Sequence, residues 1–227
     1  MPISLFDVAG PIMIGPSSSH TAGACKIGQM ARALFNGSPT QVDFYLYGSF
    51  ATVYLGHATD RALLAGVMKF MTSDPRLKDS LQIAKDRGLR ARFIPIEETT
   101  PEHHPNTVRI ILKNRKQALS VVGSSVGGGQ VKLTHINNIP IDLEASVGRF
   151  FSLLISHNDQ AGVLNPIYGQ LIDWNIPIAR KETQKIGSYA LTLLNIEGSF
   201  LRLPQVLALE KFPGIHFVRA LTKLLKV

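Results

Sequence analysis

The sequence predicts an α/β (α+β) protein of two domains. Three observations predict this class. Helical spacing of apolar residues follows a serine-rich segment near the N-terminus, strand-like alternation fills the middle, and the last third alternates strands with helices. With 227 residues, of which 45% are hydrophobic, the chain is long and apolar enough for two cores.

The segment GPSSSHTAGA, residues 15–24, predicts the start of the first helix. Pro16 prevents a helix from running back through it, so one of the three following serines becomes the N-cap. One cap needs one hydroxyl. Three hydroxyls beside outward-pointing amides and small residues therefore indicate a seat for a carboxylate or phosphate, whereas a redundant cap beside a buried histidine is the plainer interpretation. Asn36-Gly37 supplies the left-handed end of this helix.

The elements that follow are predicted from periodicity and turn residues. In QVDFYLYG, 41–48, apolar residues alternate with Asp43, Tyr45 and Tyr47, as in a half-buried strand that ends at Gly48. A helix is predicted in GHATDRALLAGVMKF, with Thr59 or Asp60 as its cap. Another helix ends at Gly88, and four strands are predicted in RARFIPIEE, NTVRIILKN, ALSVVGSS and GQVKLTHI.

The last third predicts a ferredoxin-like βαββαβ unit, so the domains are placed at 1–147 and 148–227, with the boundary near EASVGR, 144–149. In the loop SHNDQAGVL, Asn158 and Asp159 are expected as turn and cap residues, and Gly162 as a point of close backbone approach. An ordinary loop and a ligand-binding loop are equally compatible with this pattern. The predicted strands are 150–156, 176–184, 187–196 and 215–220, and the helices are 162–174 and 203–211.

Composition excludes several classes of function. The formal net charge is +8, but lysine and arginine are scattered, and the one dense group, KNRK at 113–116, is typical of a charged turn. Without interleaved aromatic residues, nucleic-acid binding is not expected. No apolar run reaches the roughly 18 residues of a membrane span, and the N-terminus lacks a secretory pattern. We therefore expect a cytoplasmic protein with no nucleic-acid or membrane partner.

Histidine and cysteine positions define the remaining candidates. His57 stands in a glycine-flanked segment between a predicted strand and a helix, where a neutral imidazole could take a proton, although a lone histidine is more often structural. HHPNT, 103–107, is better explained as a polar turn than as metal ligands, and the GGG of GSSVGGGQV as a tight turn. Cys25 is the single cysteine, which excludes an internal disulfide and a cysteine-rich metal site.

These motifs together carry a resemblance. GPSSSHTAGA, YGSFATVYLGHATDRALLAG, HPNT and SSVGGGQV, in this order over residues 1 to about 145, resemble the β subunit of the bacterial iron-sulfur-dependent L-serine dehydratases, or L-serine deaminases. Residues 150–220, with HNDQAGVL, resemble an ACT domain. The resemblance implies a mixed α/β substrate-binding domain of the serine dehydratase β type at 1–147 and an ACT regulatory domain at 148–227.

What the resemblance implies chemically is conversion of L-serine into pyruvate and ammonia, a step of serine catabolism that leads toward gluconeogenesis. Water is eliminated, and the resulting aminoacrylate tautomerises and hydrolyses. The family uses a 4Fe-4S cluster, one iron of which acts as a Lewis acid on the serine hydroxyl. Cluster ligands are cysteines, and this chain has one, so cysteines of a separate α subunit must ligate the cluster, and this chain binds no metal.

The resemblance also implies site residues. The family loop that holds the substrate carboxylate corresponds to Ser17, Ser18, Ser19, His20 and Thr21. The remaining substrate-binding positions are Thr59, Asp60 and Asn106. His57 is the candidate for taking or relaying the α-proton, with His20 as the other candidate. For the ACT domain, an amino acid, with serine as first candidate, is expected near His157, Asn158 and Gly162, and ACT domains could pair into a homo-oligomer.

Two alternatives stay open. The N-terminal region also resembles the allosteric substrate-binding domain of certain phosphoglycerate dehydrogenases, which sits beside an ACT domain, so the chain could be a regulatory amino-acid-binding module without catalysis. The intact Ser-Ser-Ser-His-Thr together with His57 favours the enzyme. A nucleic-acid adaptor is the weaker alternative. For contact with an α subunit, the candidate surfaces are the scattered positive charge, the apolar strand RIIL, 109–112, and the GGG turn, with no order among them.

Overall fold

The computed structural model describes residues 13–35, 37–97, 104–137, 139–141, 151–198 and 201–221. The chain divides into two compact units between residues 144 and 145. The predicted boundary segment 144–149 lies outside the described residues, as do Asn36 and His103.

The first unit is built on a six-stranded sheet with helices packed against it. Its strands are β1 (Gln41–Leu46), β2 (Arg90–Pro95), β3 (Thr107–Lys113), β4 (Ala118–Gly127), β5 (Gln130–Ile136) and β6 (Ile139–Pro140). Its helices are α1 (Ala24–Leu34), α2 (Gly48–Val53), α3 (Thr59–Val67) and α4 (Ser80–Asp86), with a π-helical turn at Ser18–Gly23 and a 3₁₀ turn at Pro75–Asp79.

The sheet has the order β2-β1-β3-β4-β5-β6, in which β1 and β2 are parallel and the other neighbours antiparallel. The four predicted strands and the helix before Gly88 are confirmed. Gly128 and Gly129 form the turn between β4, which ends at Gly127, and β5, as predicted. In RIIL, Ile110 and Leu112 are fully buried, whereas Arg109 and Ile111 on the other face of β3 are half-buried, so the expected contact of this strand with an α subunit stays a prediction.

The first helix is less regular than predicted. The chain runs through the π-helical turn Ser18–Gly23 before α1 begins. It leaves the helix at Phe35, whose backbone is extended (φ −83°, ψ 119°) and whose side chain is buried. The helix therefore ends before Gly37, because the backbone is already extended at Phe35, where the side chain is buried in the core.

A short helix that the sequence did not predict follows β1. The strand ends at Leu46 rather than Gly48, and Gly48 begins α2 with φ +53°. A Cβ at Gly48 would lie 2.6 Å from the carbonyl oxygen of Pro105, so only glycine fits. Six residues are too few to show helical periodicity. His57 lies between a strand and a helix as predicted, but α2 stands between β1 and His57.

The predicted cap of α3 is wrong. Its N-cap is Ala58, in the left-handed conformation (φ +56°), with no side-chain cap bond. Thr59 and Asp60 lie inside the helix and are buried. The carbonyl of Tyr54 accepts a hydrogen bond from the Thr59 amide at 2.9 Å, so backbone of the preceding turn replaces the expected hydroxyl or carboxylate cap.

Asp43 departs from the predicted half-buried pattern of β1. It was expected on the polar face of the strand, yet its side chain is fully buried. Arg92 of β2 donates to it at 2.7 and 2.9 Å, and Lys113 of β3 lies at 3.4 Å. The hydrogen bonds from Arg92 lower the pKa of this carboxyl below its usual value. Neighbouring strands thus supply the partners that allow the charge to be buried.

Two glycines bring the helices α1 and α3 into backbone contact. A Cβ at Gly66 would overlap the carbonyl oxygen of Cys25 and lie 2.8 Å from the amide nitrogen of Gln29. A Cβ at Gly28 would overlap the carbonyl oxygen of Leu63 and lie 3.1 Å from Gly66 Cα. Because backbone atoms cannot move aside as side chains do, the two helices must separate to admit a methyl group.

We expect Gly66→Ala to destabilise the protein by about 1–3 kcal/mol, the usual cost of overpacking a rigid contact. The measurement is urea unfolding followed by circular dichroism. The control is Gly169→Ala in the second unit, at a helical position where a Cβ meets nothing within 4 Å, and where alanine should be neutral or slightly stabilising. Equal unfolding midpoints for Gly66→Ala and the parent would contradict the helix contact.

The second unit has the predicted ferredoxin-like topology. Its elements are β7 (Phe151–Asn158), α5 (Asn165–Asp173), β8 (Ile178–Ile186), β9 (Tyr189–Ile196), α6 (Leu203–Leu209) and β10 (Ile215–Leu221). The strands form an antiparallel sheet of order β10-β7-β9-β8. The core is apolar and includes Leu153, Ile155, Ile167, Leu171, Leu194, Val206, Leu209 and Val218.

The loop between β7 and α5 differs from its prediction. Asn158 ends β7, Asp159 pairs with Lys185 at 2.9 Å, and neither caps α5, which begins at Asn165 with Pro166 in its first turn. Proline in the first turn has its φ fixed at a helical value, so the helix begins next to Pro166 rather than near Asn158 or Asp159. Gly162 has φ +78°, but a Cβ there would make only ordinary contacts. The close approach occurs instead at Gly214, where a Cβ would lie 2.7 Å from Val163.

Candidate active site

The serine-rich turn opens the candidate site. Ser17 is the N-cap, as predicted for one of the three serines: its Oγ accepts from the His20 amide at 3.2 Å. Ser17 also accepts through its carbonyl from the Thr21 amide at 2.9 Å. The amides of Ser18 and Ser19 therefore precede the first backbone bond of the helix, beside half-buried hydroxyls. Such a turn can bind an anion.

The imidazole of His20 is held from both sides. Its Nε2 hydrogen-bonds Ser49 Oγ at 3.0 Å, and its Nδ1 lies 3.4 Å from Ser17 Oγ. Burial lowers the pKa of His20, and the nearby His57 imidazole lowers it further. The lowered pKa favours the neutral ring, and the two contacts fix its orientation.

His57 lies next to His20. The ring centroids are 5.0 Å apart with the planes inclined by 35°, and the His57 carbonyl accepts from Thr21 Oγ1 at 3.2 Å. The following residue, Ala58, has the left-handed backbone, a strained conformation for a residue with a Cβ. Within the described part of the chain, no hydrogen-bond partner approaches the buried His57 Nδ1. Tertiary structure thus joins two histidines that are 37 positions apart.

Sequence reasoning missed Ser49, which stands in the first turn of α2 directly after Gly48. The ring of Phe50, the next residue, packs edge-on against His20 at 5.4 Å between centroids. A Gly-Ser pair after a predicted strand is the signal that could have pointed to this position, because functional residues concentrate on the segments that connect rigid elements.

Asn106 and Ser125 form a second polar pair. The Ser125 amide donates to the Asn106 carbonyl at 2.9 Å, and Asn106 Nδ2 lies 3.5 Å from the Ser125 carbonyl. Asn106 Oδ1 and Ser125 Oγ are buried and have no partner among the described residues. A Cβ at Gly23 would overlap the Ser125 hydroxyl, so this pair packs directly on the π-helical turn. Ser125 was also not among the predicted site residues.

Thr59 and Asp60 lie in the first turn of α3, which packs against the π-helical turn. Asp60 Oδ1 accepts from the Arg61 amide at 2.7 Å, and burial raises the pKa of the Asp60 carboxyl. The hydroxyl of Thr59 is buried and without a partner within the described ranges. Both are close in sequence to His57, but no hydrogen bond joins them to it in the described structure.

The residues of this chain do not fit an iron-sulfur cluster. Cys25 is buried in α1, its Sγ approaches the Phe70 carbonyl at 3.5 Å, and burial raises its pKa to about 12. A thiol with that pKa is not the thiolate that binds iron. Across the described residues, no cluster of three or more histidine, cysteine or acidic side chains could hold a metal ion. His104 instead accepts from the Asn106 amide, as expected of a polar turn.

The predicted effector residues of the second unit differ in accessibility. His157 is buried in the sheet, with Nε2 2.8 Å from Thr192 Oγ1 and Nδ1 2.7 Å from the Asn158 carbonyl. Asn158 is half-buried and its Oδ1 lies 2.8 Å from His216 Nε2, whereas Gly162 is exposed. Asn158 and Gly162 can reach a ligand, while both ring nitrogens of His157 are engaged within the unit. The described helices include none with the length and hydropathy to cross a membrane.

Fold and site together define an α/β protein with a serine- and histidine-lined site at a helix start, followed by a ferredoxin-like unit. Residues 4–88 match the family model described as serine dehydratase beta chain. The chain is 39% identical over 194 residues to the probable L-serine dehydratase, beta chain, of Bacillus subtilis (strain 168), covering 86% of each. It is 36% identical over 221 residues to the L-serine dehydratase, beta chain, of Peptoniphilus asaccharolyticus, covering 95% of this chain and 97% of that one. The chain therefore belongs to the family of L-serine dehydratase β chains.

Two further similarities cover less. L-serine dehydratase TdcG of Escherichia coli (strain K12) is 30% identical over 167 residues, which are 64% of this chain and 37% of that protein. The solved ACT domain of the GTP pyrophosphokinase of Chlorobium tepidum covers 32% of this chain and 97% of that one, at 19% identity and a TM-score of 0.26. The reported dehydratase relatives give the regulatory-module alternative no support.

Proposed function

We propose that this chain is the β subunit of a two-chain enzyme that converts L-serine into pyruvate and ammonia. The observation that carries the proposal is the meeting of the serine-rich turn with two histidines, His20 and His57, whose rings lie 5.0 Å apart. Five buried polar side-chain atoms lack a partner among the described residues, and four of them belong to the first unit of the chain: His57 Nδ1, Thr59 Oγ1, Asn106 Oδ1 and Ser125 Oγ. A polar substrate would satisfy such atoms.

The serine-rich turn is the proposed carboxylate seat. Ser17 is occupied as the N-cap, which leaves the hydroxyls and amides of Ser18 and Ser19 as the donors. The positive end of the helix dipole favours a carboxylate at this place. Thr21 has a different role from the one predicted, because its hydroxyl donates to the His57 carbonyl. This hydrogen bond connects the carboxylate seat to the proposed base.

His57 is the proposed acceptor of the α-proton. A base needs a ring nitrogen that is not already bonded, and the buried His57 Nδ1 meets that requirement among the described residues. Both ring nitrogens of His20 face hydroxyl groups instead. His20 then serves as a neutral neighbour that orients the site, although it lies near enough to relay a proton. Thr59 and Asp60, in the first turn of α3 beside the π-helical turn, remain proposed substrate-binding residues.

The β-hydroxyl must leave as the α-proton is removed, and nothing among this chain's described residues can hold the cluster that would assist it. We propose that a cysteine-bearing α subunit ligates a 4Fe-4S cluster and completes the site. The aminoacrylate product of elimination then tautomerises and hydrolyses to pyruvate and ammonia. The test is pyruvate formation from L-serine by the purified complex of this chain with an α chain, with D-serine as the control substrate. Absence of pyruvate from both would reject the proposal.

Replacing Ser18 and Ser19 by alanine is expected to raise the KM for L-serine by at least tenfold in the assembled enzyme. A hydrogen bond to a charged group is worth roughly 1.5–3 kcal/mol, and two such bonds would be lost. Steady-state pyruvate formation measures the change. The matched control is Ser38→Ala, an exposed serine after α1, which should leave the KM unchanged. An unaltered KM in the double variant would remove the turn from the carboxylate seat.

The second unit is proposed as an ACT regulatory domain that binds an amino acid, with serine as first candidate, beside Asn158 and Gly162, and that can pair with a second copy. We expect the full chain carrying Ser18→Ala and Ser19→Ala to retain one L-serine site by isothermal titration calorimetry, and Asn158→Ala in that background to abolish it. Asn175→Gly in the same background is the control. Sedimentation of the chain with and without serine tests pairing. A monomer that binds no amino acid would leave this unit a structural role.

A further inference from the structure

We propose that Asn106 and Ser125 form the acceptor seat for the α-ammonium group of the substrate. The inference rests on the proposed function and adds a residue, Ser125, and a ligand group to the site. The carboxylate seat and His57 account for the carboxylate and the α-proton of an amino acid, but both leave its ammonium group without a partner. An ammonium group carries three N–H donors and needs acceptors.

The hydrogen bonds of the pair fix its orientation. The Ser125 carbonyl is an acceptor only, so the Asn106 amide must turn its Nδ2 toward that oxygen, as observed at 3.5 Å. Asn106 Oδ1 consequently points away from Ser125 O, and it is buried without a partner among the described residues. Ser125 is fully buried, and its Oγ is likewise unpartnered there. Two acceptors, one directly before β3 and one in β4, thus have no donor among the described residues, although burying them unpaired is costly.

The pair lies between the two elements that carry the other site groups. On one side, the Ser125 hydroxyl packs against Gly23, at the end of the π-helical turn that begins with Ser18. On the other side, the carbonyl of Pro105, which precedes Asn106, lies against Gly48 and 3.4 Å from the Phe50 amide, next to Ser49. Because the ammonium and carboxylate groups of an amino acid share one carbon, their seats must be neighbours, and this placement meets that requirement.

The neutral character of these acceptors suits the chemistry. A carboxylate partner would offset the ammonium charge, whereas an amide oxygen and a hydroxyl leave that charge undiminished beside the α-carbon. The undiminished charge makes the α-proton more acidic, which eases its transfer to the His57 imidazole. Asp60 is a carboxylate of the same unit, but its Oδ1 is bonded to the Arg61 amide and burial raises its pKa.

The test compares two ligands of the complex of this chain with an α subunit. L-Serine has the ammonium group, and 3-hydroxypropanoate has the same carboxylate and hydroxyl without it. In Asn106→Ala and in Ser125→Ala, we expect the KM for L-serine to rise by tenfold or more while the inhibition constant of 3-hydroxypropanoate stays within twofold. Ser125→Ala removes a single oxygen and keeps the Cβ that packs on Gly23, so it serves if Asn106→Ala does not fold.

Two controls separate this inference from its alternatives. Ser18→Ala should weaken both ligands, because both carry the carboxylate, and Asn114→Ala, in the turn after β3, should weaken neither. Equal weakening of both ligands in the Asn106 and Ser125 variants, or no change in either, would overturn the ammonium seat. Failure of the parent complex to form pyruvate from L-serine would instead count against the proposed function.

Discussion

Purified by itself, this chain is expected to be colourless, free of iron and without dehydratase activity. Mixed anaerobically with a cysteine-bearing α chain, it should form a brown complex that converts L-serine into pyruvate. The reason is chemical: loss of an unactivated hydroxide needs a Lewis acid or an electron sink. The chain has a single cysteine, and that thiol is buried with its pKa raised to about 12. Iron analysis, the visible spectrum and a pyruvate assay measure the outcome.

The control for this result is Cys25→Ala. We expect the complex that contains this variant to keep its iron content and its activity, because the Cys25 side chain, in the first turn of α1, is buried in the core and faces the Phe70 carbonyl. Dehydratase activity of the lone chain in iron-free buffer would overturn the two-chain assignment. Loss of iron from the Cys25→Ala complex would show that this chain supplies a ligand after all.

Replacing His57 by glutamine is expected to lower kcat of the complex by about 100-fold or more, the usual contribution of a positioned general base. KM should stay similar, since a base acts only as the barrier is crossed and the carboxylate seat is intact. Glutamine keeps a polar side chain near the volume of histidine but cannot accept the proton. Single-turnover and steady-state pyruvate formation together separate the chemical step from binding.

Two other histidines make this prediction specific. His135→Gln, in β5, changes a half-buried histidine that hydrogen-bonds Thr134, and it should leave kcat unchanged. His20→Gln loses the ring that Ser17 and Ser49 hold, so we expect a smaller loss of kcat together with a disturbed KM. If His20→Gln shows the large pure kcat defect and His57→Gln does not, the roles of the two histidines are reversed.

The sequence by itself determined most of the elements and their order. Alternation in β3 to β5 and the helical spacing in α1, α3 and α4 follow from which residues must be buried, and this information is local. The βαββαβ order of the second unit is likewise written along the chain. The serine cap was predictable because Pro16 blocks the helix before it, and Ser17 indeed takes that position. Family membership rested on motifs that are contiguous in sequence.

Only the tertiary structure decided how these motifs meet. The burial of Asp43 depends on Arg92 and Lys113, which reach it from two other strands. The first amide of α3 is capped by the Tyr54 carbonyl rather than by the side chain of Thr59 or Asp60. This carbonyl lies in the turn that follows α2, a helix too short to be predicted from periodicity. Sequence spacing cannot encode such partners, since they are set by which strands become neighbours.

The same holds for the candidate site. That His20 and His57 are adjacent, that Ser49 holds the first ring, and that Ser125 lies against Gly23 all depend on packing between distant segments. The sequence determined which chemical groups were present: hydroxyls, imidazoles and one inert thiol. Packing decided which of them are already bonded and which, such as His57 Nδ1 and Asn106 Oδ1, are left for a substrate, because hydrogen bonds form only between groups that the fold brings within about 3 Å.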